Sequence, residues 1–214
     1  NFILSLSHDE AVHGKGSFLS KMLGDDRQKF ANFKLLLAFM YCHPGKKLLY
    51  MGTEFAPWNE WNEECGVEWE LERWEPHRSA SEFCVDLNAF YRAQAALWEK
   101  DQEADGFEWV DGGNTEQSIA SFIRRGKNKK DDLLVLFNFT PETYYDFRIG
   151  VSEPGIYEEI FNSDRNEYSG SGVIRNEEQE AVAIEWNGRK QSITIGVPPL
   201  ACVVFKRKEI PDEK

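Results

Sequence analysis

A chain of 214 residues with 41% hydrophobic content can form one large domain, or part of one followed by a small complete one. Its formal net charge of -12, from 37 acidic and 25 basic residues, offers no basic stripe to neutralise phosphates and so argues against nucleic acid as a partner. No apolar run is long enough to cross a bilayer, no basic leader precedes an apolar core, and Cys42, Cys65, Cys84 and Cys202 show no C-x-x-C spacing; a cytoplasmic protein with reduced thiols and no membrane contact is expected.

Asn1 leads at once into the apolar run Phe2-Ile3-Leu4-Ser5-Leu6, as a chain cut inside a fold would. Residues 2–7 read as a short strand apolar on both faces, of the kind that helices cover in parallel sheets. Asp25 and Asp26 then offer an N-cap for a helix carrying Phe30, Phe33, Leu36, Leu37 and Met40 at helical spacing, closed by His43-Pro44-Gly45. Residues 47–51 form a second apolar strand ending at Gly52, so strand, helix and strand predict a βαβ unit with a parallel pair.

Residues 53–78 read as a long loop crowded with Trp58, Trp61, Trp69 and Trp74, and Ser81 precedes another helix running to about Glu99. From about Phe107 the pattern changes to short β-rich runs at 118–124, 133–139, 144–149, 155–161, 181–186, 192–197 and 201–206. Turn signals at Gly112-Gly113-Asn114, Asn187-Gly188 and Pro198-Pro199 separate them, and Ser169-Gly170-Ser171-Gly172 reads as a flexible loop tip. The expected architecture is α/β plus all-β: residues 1–104 as the last two strand–helix units of an incomplete (β/α)8 TIM barrel, and residues 105–214 as an antiparallel β-sandwich C-terminal domain.

In a barrel the reacting groups follow the strands, and two clusters do so: Ser7-His8-Asp9-Glu10 with His13, and Gly52-Thr53-Glu54-Phe55 with Trp58 and Trp61. Carboxylates, a histidine and aromatic surface suit glycoside chemistry, in which negative charge faces a developing oxocarbenium ion. Bland alternatives stand beside this: Asp9 and Glu10 as a solvated loop, Glu54 as a partner of its own loop, most of the tryptophans as loop packing. His8 and His13 are five apart, against four in the helical zinc motif H-E-x-x-H, and Gly14-Lys15-Gly16-Ser17 lacks the spacing of a phosphate loop; no metal and no cofactor are expected.

The segment Leu4-Ser5-Leu6-Ser7-His8-Asp9-Glu10-Ala11-Val12-His13-Gly14-Lys15 is very similar to the one that branching enzymes of the α-amylase superfamily carry at the end of the seventh barrel strand. Phe30-Ala31-Asn32, the run from His43 to Phe55, and Trp58-Asn59-Glu60-Trp61-Asn62 continue the likeness through the eighth strand and its loop. The resemblance implies a C-terminal portion of a 1,4-α-glucan branching enzyme, which cleaves an α-1,4 bond by retaining double displacement and passes the chain to a 6-hydroxyl, building branches in glycogen biosynthesis. It makes Asp9 a transition-state stabiliser and His8 a hydrogen-bond donor to the same sugar, with His13, Glu54, Trp58 and Trp61 in substrate binding. The residues alone would pair Asp9 with Glu54 as two catalytic carboxylates; the resemblance instead puts nucleophile and acid/base on earlier strands, outside this chain.

The expected partners are an α-glucan, the missing N-terminal part of the same polypeptide and, through unpaired barrel strands, other copies of the chain. The chain alone should be inactive. A hydrolytic or trehalose-forming member of the superfamily, and a glucan-binding module, are the competing readings.

Overall fold

The structure, a computed structural model, describes residues 5–208; residues 2–4 of the first expected strand lie outside them. Strand β1 (Ser5–Leu6) and strand β2 (Leu48–Leu49) pair in parallel, Ser5 with Leu48 and Leu6 with Leu49. Helix α1 (Asp26–Cys42) connects them, so the βαβ unit forms as its pattern predicts. Asp25 and Gln28 make a reciprocal capping box: the Asp25 carboxylate accepts the Gln28 N–H at 2.9 Å and the Gln28 side chain accepts the Asp25 N–H at 3.0 Å. The helix stops where His43 turns extended before Pro44, a position at which proline disfavours helix.

Helix α2 (Glu75–Ala93) begins and ends about six residues earlier than its periodicity suggests. Pro76 sits in its first turn, where a missing N–H costs no helical hydrogen bond. Ala95–Leu97 is a separate 3-10 turn, whose Ala96 and Leu97 are fully buried. The loop between β2 and α2 is itself partly ordered by 3-10 turns at Thr53–Phe55 and Trp69–Arg73.

The remainder is β. Strands β3 (Phe107–Asn114), β4 (Ile119–Arg124), β5 (Leu133–Asn138), β7 (Ile156–Asn162), β8 (Gln179–Glu180) and β10 (Ala201–Arg207) form an antiparallel sheet in the order β3-β4-β5-β10-β7-β8. A two-stranded sheet of β6 (Tyr144–Val151) and β9 (Gln191–Val197) lies on one of its faces. Gly112 to Asn114, expected as a turn, instead end strand β3 across register shifts that bulge it against β4. Residues 181–186, expected as a strand, instead make isolated bridges, Val182 to Ser192 and Trp186 to Arg189, around the tight turn at Asn187-Gly188, with the Ala181 N–H donating to the Gly155 carbonyl at 2.9 Å.

Period-two alternation divides the central sheet between two cores. On β5 and β10, Leu133, Val135, Phe137, Cys202 and Val204 meet α1 and α2, while Leu134, Leu136, Val203 and Phe205 meet Ile149, Val151, Ile193 and Ile195 of the small sheet. A strand buried on both faces reads as a continuous apolar run, which is why these two show no alternation in sequence. The structure is therefore three layers, with helices, large sheet and small sheet stacked in that order.

Arg124 closes the helical layer onto the sheet. Its side chain is fully buried; Nη1 donates to the Cys42 carbonyl at 2.7 Å, and Nη2 to the Leu97 carbonyl at 3.1 Å and to Asp101 Oδ1 at 2.6 Å. Cys42 is the last residue of α1, so the cation sits at the negative end of the helix dipole and satisfies a carbonyl that has no partner within the helix. Ser169-Gly170-Ser171-Gly172, expected to be flexible, is likewise anchored: Asp164 accepts the Ser171 N–H at 2.7 Å and its hydroxyl, and the Asp164 carbonyl accepts the Gly172 N–H at 2.9 Å. Beside it, the Tyr168 hydroxyl donates to Asp86 of α2 at 2.8 Å and the Tyr168 carbonyl accepts from Lys34 of α1.

Burial lowers the Lys34 pKa to about 8, with Asp164 and Glu75 acting weakly in the other direction. Between that value and the ordinary lysine range only the unfolded chain holds this proton, so stability rises with pH across the window. Unfolding in urea at about pH 7.5 and about pH 9.5 should show this gain, at most ~3 kcal/mol, and Lys34→Met should shrink it; an unchanged slope in the variant would count against a buried Lys34. Removing one partner of a buried ion pair leaves the other uncompensated, so Arg124→Ala should destabilise the chain by about 3–5 kcal/mol in the same assay. A loss below about 1 kcal/mol, the scale of a surface pair, would show that Arg124 does not bind the layers together.

Candidate active site

Parallel pairing brings the C-terminal ends of β1 and β2 to one edge. Past that edge the Tyr50 N–H still donates to the Leu6 carbonyl, at 2.9 Å. Ser7 then caps a 3-10 turn, His8–Glu10, its hydroxyl oxygen accepting the Asp9 N–H at 3.3 Å and donating to Glu10 at 3.0 Å. The turn throws His8 and Asp9 out beyond the strand: Nε2 of His8 lies 3.3 Å from Asp9 Oδ1, and their side chains are 51% and 71% exposed, open to a ligand.

Two aromatic rings flank the imidazole. Tyr50 lies 5.7 Å from it between centroids and Trp61 6.1 Å, nearly edge-on, and the two rings meet each other at 5.6 Å and 88°. Tyr50 arrives from the end of β2. Trp61 comes from the loop beyond and is pinned by its own N–H, which donates to the Ala11 carbonyl at 2.8 Å. The arrangement is a carboxylate and an imidazole beside a wall of apolar ring surface. It can bind vicinal hydroxyls at the polar pair and C–H faces at the rings, and it can hold negative charge against a developing cation.

The other expected residues sit elsewhere around this edge. His13 is exposed, with φ 57, on the loop that leaves the His8–Glu10 turn. Glu54 lies in the 3-10 turn after Gly52, whose φ of 80 lets the chain reverse at the strand end. It faces α2: its carbonyl accepts from the Cys84 thiol at 3.4 Å, and its charge adds to the burial that raises that thiol to about 12. Trp58 packs against Phe30 at 5.8 Å and His77 at 6.1 Å, and borders a cavity of about 680 Å³ between α1, α2 and the Tyr168 loop. The structure thus assembles His8, Asp9 and Trp61, and places Trp58 and Glu54 with the helices. Among the described residues, no group of three or more His, Cys, Asp and Glu side chains is placed to hold a metal ion.

Two residues of this site escape a reading of sequence pattern. Tyr50 looks in sequence like one more apolar strand residue, and only the parallel register shows it beside His8. Glu60 looks like one acid among many in an acidic loop, yet its carboxylate accepts the backbone N–H groups of Gly14 and Gly16, each at 3.1 Å.

The description "Alpha amylase, C-terminal all-beta domain" matches residues 109–208. The 1,4-alpha-glucan branching enzyme GlgB of Aquifex aeolicus (strain VF5) is 47% identical over 208 residues, 97% of this chain and 33% of that protein. The enzyme of the same name from Rubrobacter xylanophilus is 48% identical over 210 residues, 98% of this chain and 29% of its own. Among solved structures, Ttha1563 from Thermus thermophilus superposes with a TM-score of 0.61 at 16% identity, over 94% of this chain and 34% of that one. AmyP, solved in complex with maltose, gives 0.54 at 12% identity, over 86% and 36%; both likenesses speak for the fold alone. The chain spans about a third of the length of the curated relatives it matches. Nearly the whole chain is thus similar in sequence to a portion of the 1,4-α-glucan branching enzymes, and residues 109–208 match the α-amylase C-terminal all-β domain.

Proposed function

We propose that this chain supplies one wall of the active site of an enzyme that cleaves α-1,4-glucan and transfers the freed chain to a 6-hydroxyl, forming α-1,6 branches in glycogen. Residues 1–104 are the last two strand–helix units of its (β/α)8 barrel, and residues 105–214 are its C-terminal domain. The observation that carries the reading is the His8–Asp9 pair, set open to solvent at the C-terminal edge of two parallel strands in a chain so similar to branching enzymes. Reacting groups of (β/α)8 enzymes stand at that edge. The parallel pair also has no further strand partner among the described residues, which supports a sheet completed by other parts of the polypeptide.

In this mechanism the Asp9 carboxylate binds sugar hydroxyls more tightly as the ring flattens toward an oxocarbenium ion. His8 donates to the same sugar, and the Tyr50 and Trp61 rings bound the subsite. Such contacts lower the barrier because they strengthen between ground state and transition state. Glu54, His13 and Trp58 contribute at the margin of the glucan path. The nucleophile and the acid/base, which a retaining double displacement requires, belong to segments outside this chain. The chain alone therefore does no chemistry.

Asp9→Asn in the intact polypeptide should lower the branching rate by roughly 100-fold or more, read as the shift of the iodine–glucan spectrum, since one charge-stabilising contact at a transition state is worth about that much. The 214-residue chain should produce no shift at all. Reducing-sugar release by the intact polypeptide without new α-1,6 linkages would replace the transferase reading with a hydrolase.

A further inference from the structure

The loop that carries His8 and Asp9 is held only in part by its own bonds, such as that from the Lys15 N–H to the Val12 carbonyl at 3.2 Å. After the 3-10 turn it passes through three residues in the left-handed region, His13 (φ 57), Gly14 (φ 78) and Gly16 (φ 75), and turns N–H groups outward that find no partner along the loop. They find one 44 to 46 residues away: Oε1 of Glu60 accepts the Gly14 N–H at 3.1 Å and Oε2 the Gly16 N–H at 3.1 Å, one oxygen to each donor. Gly16 and then Gly14, by donating to it, hold the Glu60 carboxyl below its ordinary value, aided by His13 and Lys21.

The neighbouring residues repeat the grip. The Trp61 N–H donates to the Ala11 carbonyl at 2.8 Å, and the Ser17 hydroxyl donates to the Trp58 carbonyl at 3.1 Å. The post-β2 loop thus holds the His8 loop at residues 11, 14, 16 and 17. The Glu60 carboxylate adjoins the peptide that fixes Trp61, and the Trp61 ring in turn packs on His8. Lys15, between the two clamped glycines, reaches back to donate to the Asp9 carbonyl at 2.6 Å. A displacement at Gly14 or Gly16 would be passed to Asp9 through Lys15 and to His8 through Trp61.

We propose that Glu60 is a positioning residue for the branching reaction: its ionised carboxylate clamps Gly14 and Gly16 and thereby sets where His8 and Asp9 meet the sugar. This rests on the proposed function for its catalytic consequence, whereas the clamp itself does not. Glutamine keeps the size of the side chain but replaces one acceptor oxygen by a donor that faces an N–H, and aspartate keeps the charge one methylene short.

The test is made on the intact polypeptide, with hydrogen exchange of the peptide spanning residues 11–17 read alongside branching kinetics. Glu60→Gln should speed exchange at Gly14 and Gly16 and lower kcat roughly 10- to 100-fold with little change in KM, as misplacement of a catalytic group by about an ångström does. Glu60→Asp should fall between wild type and Glu60→Gln in both readouts. Unchanged exchange in Glu60→Gln overturns the clamp, and faster exchange with wild-type kcat overturns its role in positioning. A wild-type polypeptide that makes no branches refutes the function proposed above and takes the positioning role with it, while the exchange data still decide whether Glu60 holds the loop.

Discussion

The buried guanidinium of Arg124 is the constraint around which the two halves of this chain are arranged. It stands at the end of β4, on the face of the large sheet that meets the helices, and reaches the last carbonyl of α1, the carbonyl of Leu97 and the carboxylate of Asp101 at once. A charge in that position needs all three, because burial without partners costs several kcal/mol. The C-terminus of α1, the turn that ends the helical region and the β domain are therefore fixed by one side chain. Around it Phe33, Leu37, Met40, Phe83 and Leu87 close a core against Phe122, Val135, Phe137 and Val204. The apolar contact is broad and non-directional, and the guanidinium gives it a register.

That register matters for the site because α1 is the connection between β1 and β2. Its ends determine where the two strands meet, and their parallel pairing sets His8, Asp9 and Tyr50 at the same edge. The chemistry of the site then depends on loops, which are held from outside. Ser7 shapes the turn that presents Asp9, the Trp61 N–H and the Glu60 carboxylate hold the segment that follows, and the Trp61 ring backs the imidazole. Hydrogen bonds to a carboxylate are stronger than those between neutral groups, which suits Glu60 to fixing Gly14 and Gly16, which have no side chains to pack.

Much of this is legible in the sequence, and the misses have physical causes. The N-cap at Asp25, the stop at His43-Pro44 and the βαβ order are readable because caps, prolines and apolar spacing are local signals. The start of α2 is hidden because Pro76 and Trp74 look like loop residues unless proline is allowed in a first turn. The tip at 169–172 reads as flexible from its Ser and Gly content, yet Asp164 supplies from five to eight residues back the bonds that order it, and Lys34 docks the adjacent Tyr168 from a distant helix. In the site, His8 and Asp9 are visible through a motif. Tyr50 and Glu60 are not, since their roles depend on register and on contacts across more than forty residues. Trp58 is visible as an aromatic of a functional loop, but its ring packs toward Phe30 and His77 while Trp61 packs on His8.

In the proposed enzyme His8 and Asp9 form one wall of a glucan subsite, and a crystal structure of the intact polypeptide with a non-cleavable malto-oligosaccharide tests this most directly. A glucose ring with its hydroxyls within hydrogen-bond distance of the His8 imidazole and the Asp9 carboxylate, bordered by Tyr50 and Trp61, is the predicted result. An oligosaccharide bound at full occupancy in the catalytic cleft, with no sugar near His8 and Asp9, would contradict it.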